Sequence, residues 1–205
     1  DNHFAVTNLA ATDVTEDTCT NNFATLNPLI NSGVTFSEGN TKVTVDSTTP
    51  RVAASTFSVS TGKWYCEVKI TATTAGATFV GVEADDFSQN SNVYSNNDGA
   101  YYINDGNKFI NGSISSYGAT FATNDIIGIA LNLDDDEITF YKNGASQGAI
   151  TTKTFSGGYY FIGTHGSGSN SSGYEFNFGN PAFSISSGNN DGKYGNFEYA
   201  PPSGY

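Results

Sequence analysis

Apolar and polar residues alternate with period two along this chain, in short runs broken by clusters of Gly, Asn, Asp and Ser. Lys63 to Ile70 reads KWYCEVKI. Trp64, Cys66, Val68 and Ile70 fall on one face, and Tyr65, Glu67 and Lys69 on the other, which is the pattern of a half-buried strand. Thr78–Glu83, Gly99–Ile103, Gly158–Gly163 and Tyr174–Phe178 are further β-rich runs. Asp125–Leu133 and Glu137–Lys142 face each other across an acidic turn. Asn143-Gly144 follows directly and is a strong hairpin signal, because both residues tolerate the left-handed backbone that a tight turn demands. No window sustains a helical i, i+3, i+4, i+7 pattern with caps at both ends. About ten or more short strands at this spacing predict an all-β sandwich.

The length, 205 residues, suits one such sandwich, and no linker or internal repeat divides the chain. The first 30 residues or so are less periodic. They are expected to form an N-terminal extension (1–30) pinned by Phe23, Leu26 and Leu29 to a single sandwich domain (31–205). No stretch approaches the roughly 18 apolar residues of a membrane span. No basic segment followed by an apolar one marks a signal peptide. The chain contains no Met, so it is expected to be a processed product or a piece of a longer chain.

Charge narrows the partners. The formal net charge is −12, and Arg51 is the only arginine. Phosphate backbones are held by clustered Lys and Arg that release counterions, so nucleic acid is not expected as a partner. Anionic lipid surfaces are disfavoured on the same charge, and membrane insertion is not expected without a long apolar stretch. Cys19 and Cys66 are the only cysteines, too few for a disulfide framework or a zinc site. The face that Cys66 shares predicts a buried thiol, and a Cys19–Cys66 bridge stays open because spacing alone gives no Cα separation.

Catalysis lacks its parts. The histidines are His3, near the start, and His165, in the run GTHGSGSNSSG, and no G-x-S-x-G elbow presents a serine. Glu83-Ala84-Asp85 begins an alternating acidic strand of the kind that could pair carboxylates, but Ser88 stands where the third acid would. Asp134-Asp135-Asp136-Glu137 sits at a predicted turn, where Asp is favoured for its own backbone hydrogen bonds. Asp134 and Asp136 are also the candidates for calcium, a hard cation that prefers clustered carboxylates. No other cofactor is expected, and no catalytic residue is assigned.

Recognition is better provided for. Tyr94, Asn96, Asn97, Asp98, Tyr102, Asn104, Asp105 and Tyr117 crowd one stretch, with His165 as a further candidate from another loop. Tyrosine offers large contact area at small entropic cost, and amides offer adaptable hydrogen bonds. Aromatic faces beside amides also suit sugar rings. Alternation sends one of Tyr101 and Tyr102 into the core. Tyr94 and Tyr117, flanked by turn residues, are the better surface candidates.

The order of motifs resembles the SPRY family. The marks are GKWYCEV (Gly62–Val68), FVGV (Phe79–Val82), the tyrosine-rich strand at Gly99–Ile103, DIIGIALNLDDDEITFYKNG (Asp125–Gly144) and NFG (Asn177–Gly179). The resemblance covers roughly Thr35 to Asn180. It implies a bent two-sheet antiparallel β-sandwich of the concanavalin-like jelly-roll kind, with variable rim loops that bind proteins or peptides. The flanks, DTCTNNFATLNPL and FEYAPPSGY, are similar to segments that bracket SPRY domains in bacteriophage and environmental-virus structural proteins, where Cys19 more often appears as proline. The resemblance therefore implies a non-catalytic module on a virion surface or in an extracellular tail fibre. Its expected partner is a host-surface glycan or protein, or a neighbouring virion protein, with homo-oligomers formed through the parent protein. A structural spacer or decoration domain with no external ligand is the competing expectation.

Overall fold

In the computed structural model the described residues are 22–29, 34–47, 51–74, 77–87, 98–165, 170–189 and 195–205. They contain no helix. Thirteen strands follow in order: β1 Val34–Ser37, β2 Lys42–Ser47, β3 Val52–Ala54, β4 Lys63–Ala72, β5 Thr78–Ala84, β6 Ala100–Ile103, β7 Asn107–Ile110, β8 Ser113–Ser116, β9 Ile126–Asn132, β10 Glu137–Lys142, β11 Ala145–Ile150, β12 Tyr159–His165 and β13 Asn170–Asn177. They form an antiparallel seven-stranded sheet, β1-β2-β13-β4-β9-β10-β11, and an antiparallel six-stranded sheet, β3-β12-β5-β6-β7-β8. The expected two-sheet sandwich is present.

Turn chemistry sets the registers. Asn143 and Gly144 take φ of 49° and 79°, so the β10–β11 hairpin closes in two residues with Lys142 opposite Ala145. Asn111-Gly112 does the same between β7 and β8, with φ of 50° and 76° and Ile110 opposite Ser113. Between β9 and β10 the acidic turn is closed by Asn132, whose side-chain oxygen accepts from the amides of Asp134 and Asp135 at 3.2 Å each.

The main core lies between the sheets. Val43, Val45, Cys66, Val68, Ile70, Ile127 and Ile129 meet Val80, Val82, Tyr102, Tyr159 and Phe161 there. Each fully buried large side chain contributes roughly 1.5–3 kcal/mol. Cys66 is a free, buried thiol, pushed up by desolvation; Cys19 lies outside the described residues. A second cluster, Val52, Ala54, Phe79, Tyr101, Ile103, Phe109 and Ile162, is buried apart from the main core.

This second cluster corrects one expectation. Tyr101 and Tyr102 are both fully buried, instead of one pointing inward and one outward. Alternation does send them to opposite faces, but the six-stranded sheet is apolar on both. Trp64 is a second correction. It shares its face with Cys66, Val68 and Ile70, yet it is 46% exposed. It is the second residue of β4, at the margin of the sheet. In the N-terminal segment Leu26 is fully buried and bridges Ser55, whereas Leu29 is 91% exposed and pins nothing.

Candidate functional site

Of the residues singled out from sequence, those that are described mostly serve the fold, and Tyr102 and Tyr117 are in ring contact. Tyr94, Asn96 and Asn97 lie outside the described residues. Asp98 forms an ion pair with Lys153, and its Oδ1 accepts from the Tyr159 hydroxyl at 3.1 Å. Lys153 is itself buried, with its Nζ 5.2 Å from the centroid of Phe155 and 5.4 Å from that of Tyr159. Asp98 thus neutralises a buried lysine through Oδ1 while half of its own side chain stays exposed. Tyr102 is core, its hydroxyl donating to the Ala119 carbonyl. Asn104 is a buried brace, accepting from the Thr78 amide at 3.2 Å and donating to the Thr74 carbonyl at 3.1 Å. Asp105 closes its own turn by accepting from Asn107. Tyr117 is half-buried. Its ring packs on Tyr102 and Phe140, and its hydroxyl donates to the Gly148 carbonyl at 2.5 Å. His165 ends β12 with its backbone opposite Thr78.

The acidic groups are bound to backbone. Asp134 Oδ1 accepts from the Gly62 amide and Asp136 Oδ1 from the Phe155 amide, each at 2.8 Å. Their carboxylates thus tie the turn to two different neighbouring segments. No group of three metal-ligating side chains assembles among the described residues. Glu83 is buried at 1% exposure and accepts from the Tyr101 hydroxyl and, at 3.2 Å, from the Ala84 amide. Burial pushes its carboxyl above the ordinary glutamate value, against the pull of those donors. A carboxylate so enclosed has no access to a glycosidic bond.

A different place has the form of a binding site. The loop over residues 55–62 carries the chain from β3 in one sheet to β4 in the other. Beside it opens a cleft of about 730 Å³. Trp64, Tyr65, Phe57, Tyr160, Phe161 and Phe178 contribute to its walls, with Phe23 from the N-terminal segment. Phe57 is 49% exposed. Among the described residues no Asp, Glu, Lys or Arg lines it. A concave, aromatic surface with a few polar groups is the usual form of a ligand site.

The cleft is preformed because its loop is stitched down. Ser55 donates its amide to the Phe161 carbonyl at 2.9 Å, and its hydroxyl accepts from the Phe161 amide at 3.1 Å. Val59 exchanges two backbone bonds with Tyr159, and Thr56 donates its amide to Thr25. The indole of Trp64 is fixed by its own loop, Nε1 donating to the Thr61 carbonyl at 2.7 Å. Tyr65 is held by an edge-on contact with Phe197, with ring centroids 5.1 Å apart.

Glu67 anchors the back of this wall. It is fully buried, and every partner donates to it: the amides of Tyr199 and Glu198 at 2.8 and 2.9 Å, Asn177 Nδ2 at 3.1 Å, and the Tyr65 hydroxyl at 3.4 Å. Burial raises its carboxyl above the ordinary value, while the backbone and amide donors pull the other way. Glu67 thereby clamps the C-terminal segment against β4 and β13.

Sequence reasoning missed this cleft. The loop TFSVSTG lies outside the β-rich runs that alternation picks out, and alternation assigned Trp64 to the core. The available signal was a solitary tryptophan at the first positions of a strand, where a sheet's cover ends.

Known proteins fit this description. The SPRY domain family matches residues 63–181. The SPRY domain of human HERC1 superposes with a TM-score of 0.66 at 19% identity, covering 74% of this chain and 96% of that one. A human SPRY domain superposes with a TM-score of 0.54 at 17% identity, covering 70% and 95%. The stonustoxin structure gives 0.59 at 16% identity and covers 75% of this chain, which spans only 27% of the toxin chain. No curated protein matches the chain by sequence. SPRY domains are protein-interaction modules and generally non-catalytic. With the family matching more than half of its length and the expected two-sheet sandwich in place, the chain belongs to the SPRY domain family.

Proposed function

We propose that this SPRY domain is a recognition module displayed on a virion or other extracellular surface, holding its partner in the cleft beside Trp64 without bond chemistry. The observation that carries this reading is the cleft itself: preformed, aromatic, and exposing Phe57 and Trp64 by about half of their surfaces. Exposed large aromatics on a stitched-down loop lose little entropy when a partner covers them. The resemblance of the flanking segments to those of viral structural proteins supports the location, as does a surface whose polarity comes from Ser, Thr, Asn and Gly. The partner is a host-surface glycan or protein, or a neighbouring virion protein.

The test is binding of the multimerised chain to arrayed glycans and to a displayed library of protein fragments. Trp64→Ala and Phe57→Ala are expected each to weaken any selected interaction at least roughly tenfold, the cost of losing an aromatic anchor. Interactions that survive both substitutions would move recognition to another face. Blank results on both surfaces would favour a spacer domain.

A further inference from the structure

We infer that the cleft takes an uncharged sugar ring, stacked on the indole of Trp64, from a neutral glycan. The inference rests on the reading above, that the cleft is the recognition site, and names its ligand class.

Charge is the first argument. A chain of net charge −12 repels sialylated, sulfated or phosphorylated glycans. Among the described residues no lysine or arginine lines the cleft to compensate that field locally. An ionic ligand would lose its hydration there and find no counter-charge among the described lining residues, whereas a neutral one has no charge to desolvate.

Geometry is the second. The Trp64 indole N–H is already satisfied by the Thr61 carbonyl at 2.7 Å, so the ring is held in one orientation with about half its surface open. A fixed aromatic face with a negative π-cloud suits the C–H face of a pyranose. Around it stand Ser58, Ser60 and Thr61, all exposed and lining the cleft. Each hydroxyl both donates and accepts, as sugar hydroxyls do.

The backbone supplies the third, because it argues against an extended peptide. Strand addition needs an open sheet edge. The strands that wall the cleft are interior: β4 lies between β13 and β9, and β12 between β3 and β5. The loop amides of Ser55, Thr56 and Val59 are spent on Phe161, Thr25 and Tyr159. An added peptide strand would find no ladder to join here.

Trp64 is the chain's single tryptophan and reports directly on the cleft. The intact chain would be titrated with neutral oligosaccharides built from glucose, galactose, mannose or N-acetylglucosamine, and with sialylated counterparts. The expected result is saturable binding by one neutral series, with a blue-shifted emission and reduced acrylamide quenching. The sialylated form of the same glycan should bind at least roughly tenfold more weakly, a difference set by one unpaired charge. Calorimetry should show binding lost in Trp64→Ala and weakened in Ser60→Ala, an exposed change that carries the test if Trp64→Ala fails to fold. Equal or better binding of the sialylated series would overturn the inference. So would Trp64-dependent binding of library peptides, including proline-rich ones, with no neutral glycan bound; that outcome leaves the cleft as the recognition site. If neither glycans nor peptides bind, the inference and the reading beneath it fall together.

Discussion

Glu67 and Glu83 are two buried carboxylates that solve the same problem differently. Glu67 gathers four donors and no cation, so only an acceptor on both oxygens fits. Glu67→Gln places an N–H₂ against donors and should cost about 1–3 kcal/mol in urea unfolding, the penalty of unsatisfied buried polar groups. Glu83 is held by the Tyr101 hydroxyl and the Ala84 amide, and desolvation still raises its carboxyl above 4.5. A raised acid means that the folded chain takes up the proton more readily than the unfolded one. Its contribution to stability therefore grows as pH falls through the raised folded value, and is complete below the ordinary value. Glu198 and Asp125 act in the opposite sense, because their lowered values lose stability on acidification. The expected outcome is specific to the difference: Glu83→Gln should lose the increment that wild type gains between neutral and mildly acidic pH. Parallel stability–pH curves for the two proteins would contradict the burial argument.

The strands follow from their sequences, with different degrees of legibility. β4, β5, β9 and β10 are long and apolar on at least one face, and all were read within a residue or two of their ends. β8, SISS, is exposed throughout and carries no alternation to detect. Its signal was the Asn111-Gly112 turn that pairs it with β7. Close approach of backbones is a constraint no pattern reveals. A Cβ on Gly81 in β5 would lie 2.0 Å from the Ala100 carbonyl oxygen and 2.9 Å from the Tyr101 Cα, both backbone of β6. Gly81→Ala should therefore force β5 and β6 apart and cost at least about 1–3 kcal/mol, the usual penalty of overpacking. A thermal melt at neutral pH would detect it, and an unchanged melting temperature would mean that the two strands separate more easily than their register implies.

For the whole molecule, electrostatics and packing pull against each other. The net charge of −12 opposes compaction, and four ion pairs between described residues offset it in part. Screening should relieve this self-repulsion, so the melting temperature is expected to rise as sodium chloride goes from low to physiological ionic strength, where the Debye length shrinks to about 8 Å. A fall with salt would show that the surface pairs outweigh the net repulsion. The division between sequence and tertiary structure follows the same range of interactions. Composition, period-two alternation and turn residues act over a few neighbours or over the summed charge, and by themselves they determined an all-β sandwich, the Asn143-Gly144 hairpin and a chain unsuited to polyanions. Depth and convergence belong to segments far apart in the chain. Alternation put Trp64 on the inner face, but where the opposing sheet ends decided that it lines a cleft. The outer apolar face of the six-stranded sheet buried Tyr101, and the distant C-terminal segment gave Glu67 its donors. Whether a side chain is core, brace or binding surface depends on what a remote strand lays over it, and only the assembled sheets supply that.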